Sequence, residues 1–117
     1  MDVKDETVET QFHPILTAFL FRCDAVYRGW ERELIITSGS EHTAKHSKNS
    51  LHYALPACAA DIRSWSVGRV PSAEVQVAAL EQMANQFCLG LNIPREWIEI
   101  ILETTHIHIE FQPKRQD

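Results

Sequence analysis

Apolar residues recur every three or four positions in two segments of the chain, and this spacing predicts two helices. The first helix is expected over about residues 14–28, with Pro14 near its first turn and Gly29 as its stop. Its apolar positions are Ile15, Leu16, Phe19, Leu20, Cys23, Val26 and Tyr27. The second helix is expected to open at Pro71-Ser72 and to continue to about Gly90.

Shorter runs of β-branched, apolar or small residues predict strands at residues 33–37, 57–62, 97–102 and 106–111. Between the first two of these strands, residues 39–56 are polar, carry three histidines and lack an apolar period. Because loops of this length in compact domains are usually functional or disordered, we interpret this segment as an active-site loop. The order of the elements predicts an α+β fold, with helices packed on one face of a small, largely antiparallel sheet.

Length and composition narrow the classes of function. With 117 residues, of which 44% are hydrophobic, a single domain over residues 1–117 is expected. The acidic start lacks the apolar core of a signal peptide, and no apolar run approaches the ~20 residues of a membrane span, so we expect cytoplasmic synthesis and no membrane partner. A formal net charge of -5 with scattered basic residues argues against a nucleic-acid partner. Three cysteines without a C-x-x-C motif favour buried free thiols.

The last predicted strand carries histidines at alternating positions. Because successive side chains in a strand point to opposite faces, His106, His108 and Glu110 are expected on one face and the intervening apolar residues on the core side. The same alternation in the second predicted strand sets Asp61 apart from its apolar neighbours. Both strands are therefore expected to present polar side chains from one face of the sheet.

These polar residues have the composition of a zinc site. Two histidines and one aspartate make three protein ligands, the number that a catalytic Zn²⁺ keeps while its fourth position holds water. Glu103 is the natural candidate to take a proton from that water. An uninterrupted strand would send Glu103 and His106 to opposite faces, so the interpretation requires a bulge or turn at Thr104-Thr105. We interpret the chain as a small zinc hydrolase with one metal ion.

Four motifs occur along the chain in a recognisable order: Ile36-Thr-Ser-Gly39, Ser50-x-His52, Ala59-x-Asp61 and Glu103-x-x-His106-x-His108. In this order they resemble the zinc D-Ala-D-Ala carboxypeptidase and L-alanyl-D-glutamate endopeptidase family, which includes small phage endolysins and shares its fold with the Hedgehog signalling domain. The resemblance spans residues 34–112 and implies a Hedgehog/DD-peptidase-like fold, with the zinc site on the sheet face away from the helices. Each motif alone is weak, whereas their combined order is fairly specific.

The resemblance implies a role for each matching residue. His52, Asp61 and His106 would bind zinc, and Glu103 would be the catalytic acid and base. His108 would lie beside the metal and stabilise the transition state. The activity implied is hydrolysis of a peptide bond in peptidoglycan stem peptides or other peptides that contain D-amino acids. A phage lysis enzyme released to the cell wall is one setting consistent with this resemblance, and a cytoplasmic dipeptidase is another.

The spacing of two motifs departs from the family pattern. His52 and Asp61 are nine positions apart where the family usually has seven, and Ala57 stands where its glycine is expected. Leu55-Pro56 therefore looks like an insertion between the loop and the strand. Ligand geometry is expected to survive, because extra residues in a loop can bulge outward.

The residues that would contact a substrate are less clearly marked. Ser40-Glu41 stand where the family often carries an arginine that engages the substrate's carboxylate, and Arg63 or His46 are the candidates to replace it. Trp65 is either a core or rim residue or part of a substrate cleft. Ser50 is expected to form hydrogen bonds within the loop, since no other feature resembles a serine-hydrolase site.

Simpler interpretations stand beside these. His106 and His108 would also suit a solvated strand face, and Asp61 would also suit a turn cap. At the level of function, the alternative is a non-catalytic zinc-binding structural module, or a cell-wall or virion-binding module, with the same fold. Glu103 argues against it, because a structural zinc has a closed shell of ligands and needs no proton shuttle. A metal-dependent hydrolase of some other amide is a third hypothesis.

Overall fold

Two helices and a five-stranded sheet form the fold of residues 1–40 and 57–113, which are the residues that the computed structural model describes. In chain order the elements are β1 (Asp2–Val3), α1 (Pro14–Arg28), β2 (Ile35–Ser38), β3 (Ala59–Arg63), α2 (Ala73–Leu91), a 3-10 turn (Arg95–Trp97), β4 (Ile98–Leu102) and β5 (His106–Phe111). The α+β class predicted from the sequence is confirmed. The Hedgehog/DD-peptidase topology remains a prediction.

Both helices begin at capping side chains. His13 Nδ1 accepts a hydrogen bond from the N–H of Ile15 at 3.1 Å, so this histidine caps α1. The hydroxyl of Ser72 accepts the N–H of Val75 at 3.3 Å and starts α2. α2 ends at Leu91, and the residue that caps it, Asn92, adopts the left-handed conformation with φ 55°. The predicted bounds of α1 are confirmed, and so is the opening of α2 at Pro71-Ser72, where Ser72 is the cap and Ala73 is the first helical residue.

The strands lie in the order β1-β2-β3-β5-β4. β1 pairs with β2 in parallel, and the other three pairs are antiparallel, so the largely antiparallel sheet that the sequence predicted is confirmed. Between β3 and β5 the register sets Asp61 opposite His108 and Arg63 opposite His106. Because directly opposed residues in a sheet project to the same face, these four side chains share one face.

The opposite face of the sheet packs against both helices. Ile107 and Ile109 of β5 and Ile62 of β3 are fully buried there, together with Leu20 of α1 and Leu80 of α2. Each such side chain contributes roughly 1.5–3 kcal/mol when it is buried. Helices on one face and polar side chains on the other therefore follow from the alternation seen in the sequence.

The cysteines belong to the packed interior rather than to the polar face. Cys23 and Cys88 are buried and Cys58 is half-buried, and within the described residues none of them forms a disulfide. Burial raises the pKa of each of these thiols. All three are therefore poor nucleophiles near neutral pH.

Close packing explains why a glycine, Gly39, follows β2. A Cβ at Gly39 would overlap the carbonyl oxygen of Glu9, and the same oxygen accepts the N–H of Ser40 at 2.7 Å. The hydroxyl of Ser40 in turn accepts the N–H of Gln11 at 3.0 Å. These contacts anchor the chain where the predicted active-site loop begins; residues 41–56 of that loop lie outside the described part of the chain.

Candidate metal centre

Three side chains converge at one end of the polar sheet face. Ligand atoms of Asp61, Glu103 and His106 all lie within 4.8 Å of one another. His106 Nε2 is 2.9 Å from Glu103 Oε1 and 3.7 Å from Asp61 Oδ2. Asp61 is buried, His106 is half-buried and Glu103 is exposed, so the group opens from the sheet towards solvent. This group is close enough to hold a metal ion.

The turn between β4 and β5 brings Glu103 to His106. The N–H of Glu103 donates to the carbonyl oxygen of His106 at 2.9 Å, which closes the chain reversal around Thr104 and Thr105. Because the chain reverses here, two residues three positions apart present their side chains on the same side. The turn that the sequence interpretation required at this place is confirmed.

His108 lies between Asp61 and Glu110 and contacts both carboxylates. Its Nδ1 lies 2.7 Å from Asp61 Oδ1 and its Nε2 lies 2.8 Å from Glu110 Oε1. Glu110 Oε2 accepts a further hydrogen bond from Gln112 Nε2 at 2.6 Å. Burial by itself lowers the pKa of His108, but the hydrogen bonds and charges of Asp61 and Glu110 outweigh it and raise the pKa to about 9.

This chain of contacts holds the carboxylate of Asp61. One oxygen faces His108, and the other faces His106. A histidine or carboxylate that orients a metal ligand in this way is a common supporting feature of metal sites. The role of His108 beside the metal, in stabilising a transition state, stays a prediction; both of its ring nitrogens contact carboxylates here.

The donor atoms suit a zinc ion. One imidazole nitrogen and carboxylate oxygens are ordinary zinc ligands, and two ligand atoms ~2.1 Å from a tetrahedral ion lie about 3.4 Å apart. The 3.7 Å between His106 Nε2 and Asp61 Oδ2 is close to that separation. Glu103 Oε1, at 2.9 Å from the same nitrogen, is at hydrogen-bond distance instead. Asp61 and His106 therefore fit as a ligand pair, with Glu103 next to them.

Arg63 of the sequence interpretation lies on the same face, and Trp65, which follows β3, packs against the hydrophobic core beside it. Arg63 is the cross-strand partner of His106, and its guanidinium carbon lies 5.0 Å from the centroid of the Trp65 ring. The Trp65 indole N–H donates to the carbonyl oxygen of Glu33 at 3.0 Å. The remaining predicted site residues, His46, Ser50 and His52, lie outside the described residues.

Sequence reasoning did not single out all the polar residues of the centre. Glu110 was placed on the correct face without a role, Ser38 was named only as part of the Ile36-Thr-Ser-Gly39 motif, and Gln112 was not considered. Ser38 of β2 is buried and pairs with Asp61 in the register of the sheet. Its position directly before Gly39 in the Thr-Ser-Gly motif is the signal that pointed to it.

Comparison of the chain with protein-family models, with curated proteins and with solved structures gave no match. The resemblance to the zinc peptidases therefore rests on the motif residues themselves. Neither α1 nor α2 combines the length and the apolar character needed to cross a membrane, and this holds for the described residues only.

Proposed function

We propose that this protein is a zinc peptidase that hydrolyses a peptide bond in peptidoglycan stem peptides, of the D,D-carboxypeptidase or L-Ala-D-Glu endopeptidase type. The observation that carries the proposal is the convergence of Asp61, Glu103 and His106, from β3, the β4–β5 turn and β5, within 4.8 Å. Distant motifs that resemble one family supply these three side chains. If His106 and His108 were only polar residues on a solvated strand face, Asp61 and Glu103 would not need to converge on His106.

Asp61 and His106 are the proposed zinc ligands within the described residues, and His52 is the third ligand by resemblance. Asp61 is suited to the role because it is buried and its second oxygen is held by His108 at 2.7 Å. Bound zinc supplies a Lewis acid and makes water acidic enough to lose a proton near neutral pH.

Glu103 is the proposed general base and acid. Its side chain is 47% exposed, so its carboxylate can reach both water and a substrate while it stays beside His106. It takes the proton of the attacking water and later delivers it to the nitrogen of the leaving amine. Glu110 and His108 do not take part in this transfer in our proposal; they hold Asp61 in place.

Zinc content and hydrolysis, measured on the same variants, test the proposal. H106A is expected to lose both zinc and activity, because it removes a ligand. E103Q is expected to retain zinc and to lose turnover by several orders of magnitude. E96Q is the matched control. Glu96 is an exposed carboxylate two residues before the start of β4, whereas Glu103 directly follows the end of this strand. Zinc would be measured by mass spectrometry after dialysis, and products from defined muropeptides would identify the bond cleaved. E103Q with wild-type turnover would refute the assignment.

A second candidate is a non-catalytic zinc-binding structural module, or a cell-wall or virion-binding module. It is favoured by one observation, namely that Glu103 belongs, with Asp61 and His106, to the group whose ligand atoms all lie within 4.8 Å of one another. A fourth protein ligand would close the coordination shell, as in structural zinc sites. In that case E103Q loses zinc as H106A does, and no muropeptide is cleaved.

A further inference from the structure

One edge of the sheet is an apolar strand with a neighbour on one side only. β4 is the last strand in the order β1-β2-β3-β5-β4, so within the described part of the chain it pairs with β5 alone. Four of its five residues are isoleucine or leucine, and it has no lysine, proline or bulge, the features that commonly protect an edge strand. At the other edge, β1 has only two residues. β4 is therefore the edge best able to bind another strand.

The ladder between β4 and β5 shows which backbone groups of β4 face outward. The N–H of Glu103 donates to the carbonyl oxygen of His106 at 2.9 Å, and the register continues from there through β4 without a shift. Because hydrogen-bonded pairs alternate along an antiparallel ladder, Ile100 and Leu102 direct their N–H and C=O groups away from β5. Among residues 1–40 and 57–113, these groups make no hydrogen bond. Two backbone donors and two backbone acceptors are therefore free at this edge.

The free part of the edge ends at Ile98. The N–H of Ile98 donates to the carbonyl oxygen of Arg95, and Arg95 Nη1 donates to the carbonyl oxygen of Ile98. A strand added to this edge would therefore pair with residues 100–102.

On the polar face of the sheet, this edge is acidic at both ends and apolar in the middle. Glu99, Ile101 and Glu103 occupy alternate positions, and Glu99 and Glu103 are both exposed. Ile101 is 41% exposed, although its cross-strand partner on this face is His108. A side chain on an added strand would cover Ile101 and lie between the two carboxylates.

The charges favour a basic strand over a second copy of this chain. An antiparallel pairing of two copies that uses all the free groups is centred on Ile101, and it sets Glu99 of one copy opposite Glu103 of the other. Like charges directly opposite each other destabilise a strand pair, and each copy also carries a net charge of -5. A strand with basic residues at these two positions and an apolar residue between them is complementary instead.

We infer that the free edge of β4 binds an extended, basic segment of a partner protein, which pairs antiparallel with residues 100–102 and extends the sheet by one strand. In such strand addition, main-chain hydrogen bonds give affinity and alternate side chains give specificity. The segment has the pattern basic-x-apolar-x-basic, with its basic residues opposite Glu99 and Glu103. The inference is independent of the proposed peptidase activity, because it requires neither zinc nor a cleaved bond.

The test is a titration of the ¹⁵N-labelled full chain with the peptide acetyl-Thr-Lys-Val-Ile-Val-Lys-Thr-amide, followed by NMR. We expect saturable binding, in which the amide hydrogens of Ile100 and Leu102 become protected from exchange with solvent. The amide hydrogen of Ile101 faces β5 and should gain less protection. The same result is expected with and without a zinc chelator, because the metal centre takes no part.

Two changes in the peptide test the charges and the hydrogen bonds separately. With glutamates in place of both lysines, we expect at least about fivefold weaker binding, because two ion pairs become two repulsions. N-methylation of both valines removes the N–H groups that face β4, and we expect at least about tenfold weaker binding. N-methylation of the central isoleucine, whose N–H faces solvent, is the matched control and should have a much smaller effect.

Variants of the protein test the position of the peptide. E99K should lose most of the preference for the lysine peptide over the glutamate peptide, measured as the ratio of the two dissociation constants, and E99Q should give an intermediate ratio. E6K changes the net charge as E99K does, but Glu6 is an exposed residue just after β1 at the far edge of the sheet, so this variant should keep the wild-type ratio. Dispersed backbone NMR spectra establish that each variant is folded.

Several outcomes overturn the inference. They are the absence of saturable binding, equal binding of the lysine and glutamate peptides, an unchanged preference in E99K and E99Q, and protection that appears elsewhere than in β4. A mass in sedimentation that doubles from 13.4 kDa as the protein concentration rises, together with exclusion of the peptide, would assign the edge to a second copy and also overturn it. Cleavage of muropeptides in any of these cases leaves the proposed function standing.

Discussion

His108 Nδ1 lies 2.7 Å from Asp61 Oδ1, across the β3–β5 pair in which these two residues are direct partners. The other ring nitrogen of His108 contacts Glu110 at 2.8 Å. The imidazole therefore bridges two carboxylates and limits the rotation of Asp61. In the proposed function this contact prepares Asp61 to bind zinc with the oxygen that faces His106.

Removal of this imidazole is the first test of that role. We expect H108A to lower zinc affinity about 10–100-fold, which is the usual cost of removing a group that orients a metal ligand. Competition with a chromophoric chelator measures this affinity. The control is E99Q, which removes an exposed carboxylate from the neighbouring strand β4. H108A with wild-type zinc affinity and greatly reduced turnover would instead favour the transition-state role that the resemblance implies.

Gln76 is a buried polar side chain whose loss should destabilise the fold. Its Oε1 accepts from the Tyr27 hydroxyl at 3.0 Å, and its Nε2 donates to the carbonyl oxygens of Trp65 and Pro71 at 2.7 and 2.9 Å. Q76A leaves these groups without their partner, and we expect a loss of about 2–4 kcal/mol in the free energy of unfolding. Urea denaturation measures it, with Q82A at an exposed position of α2 as the control. Equal stability of the two variants would contradict the prediction.

Asp24 should make the stability of the protein depend on pH. Burial opposes its ionisation, but hydrogen bonds from Arg28 and from the N–H of Leu34 outweigh burial and lower its pKa below 3.8. A carboxyl group with a lowered folded-state pKa stabilises the fold above its unfolded pKa, and this contribution disappears as the pH falls through the folded pKa. We therefore expect the free energy of unfolding to decrease on acidification below about pH 4, and to decrease less in D24N.

Denaturation at a series of pH values measures the difference between wild type and D24N. E6Q, which removes an exposed carboxylate, serves as the control. If the free energy of unfolding changed with pH in the same way in wild type and D24N, Asp24 would not contribute to the pH dependence of stability.

The core face of β5 gives a prediction that is independent of any function. Ile109 is fully buried between the sheet and the helices, so I109A should lower the free energy of unfolding by about 2–5 kcal/mol through lost burial and the cavity that remains. Ile101 of β4 is 41% exposed, and I101A should change stability by less than about 1 kcal/mol. Thermal unfolding of the two variants compares them directly, and similar losses would place the core on the wrong face of the sheet.

Local patterns along the chain predicted the elements that have a long, regular period. The bounds of α1 and β5 are those predicted, because their apolar spacing repeats over 15 and 6 residues. β1 was missed, since it has only two residues and no alternation can be recognised in so short a strand. β2 was displaced by one or two residues, because its apolar run, residues 34–36, begins before the paired segment and ends before the last two residues of the strand.

For the candidate centre, the sequence by itself determined which residues to expect in the group: the order of the motifs named Asp61, Glu103 and His106, and alternation named the face of β5. Only the tertiary structure decided that Asp61 lies opposite His108, and Arg63 opposite His106. Alternation and helical period depend on near neighbours in the chain, so the sequence contains them directly. The register of β3 against β5 joins residues 47 positions apart, and it depends on how the whole sheet packs against the helices.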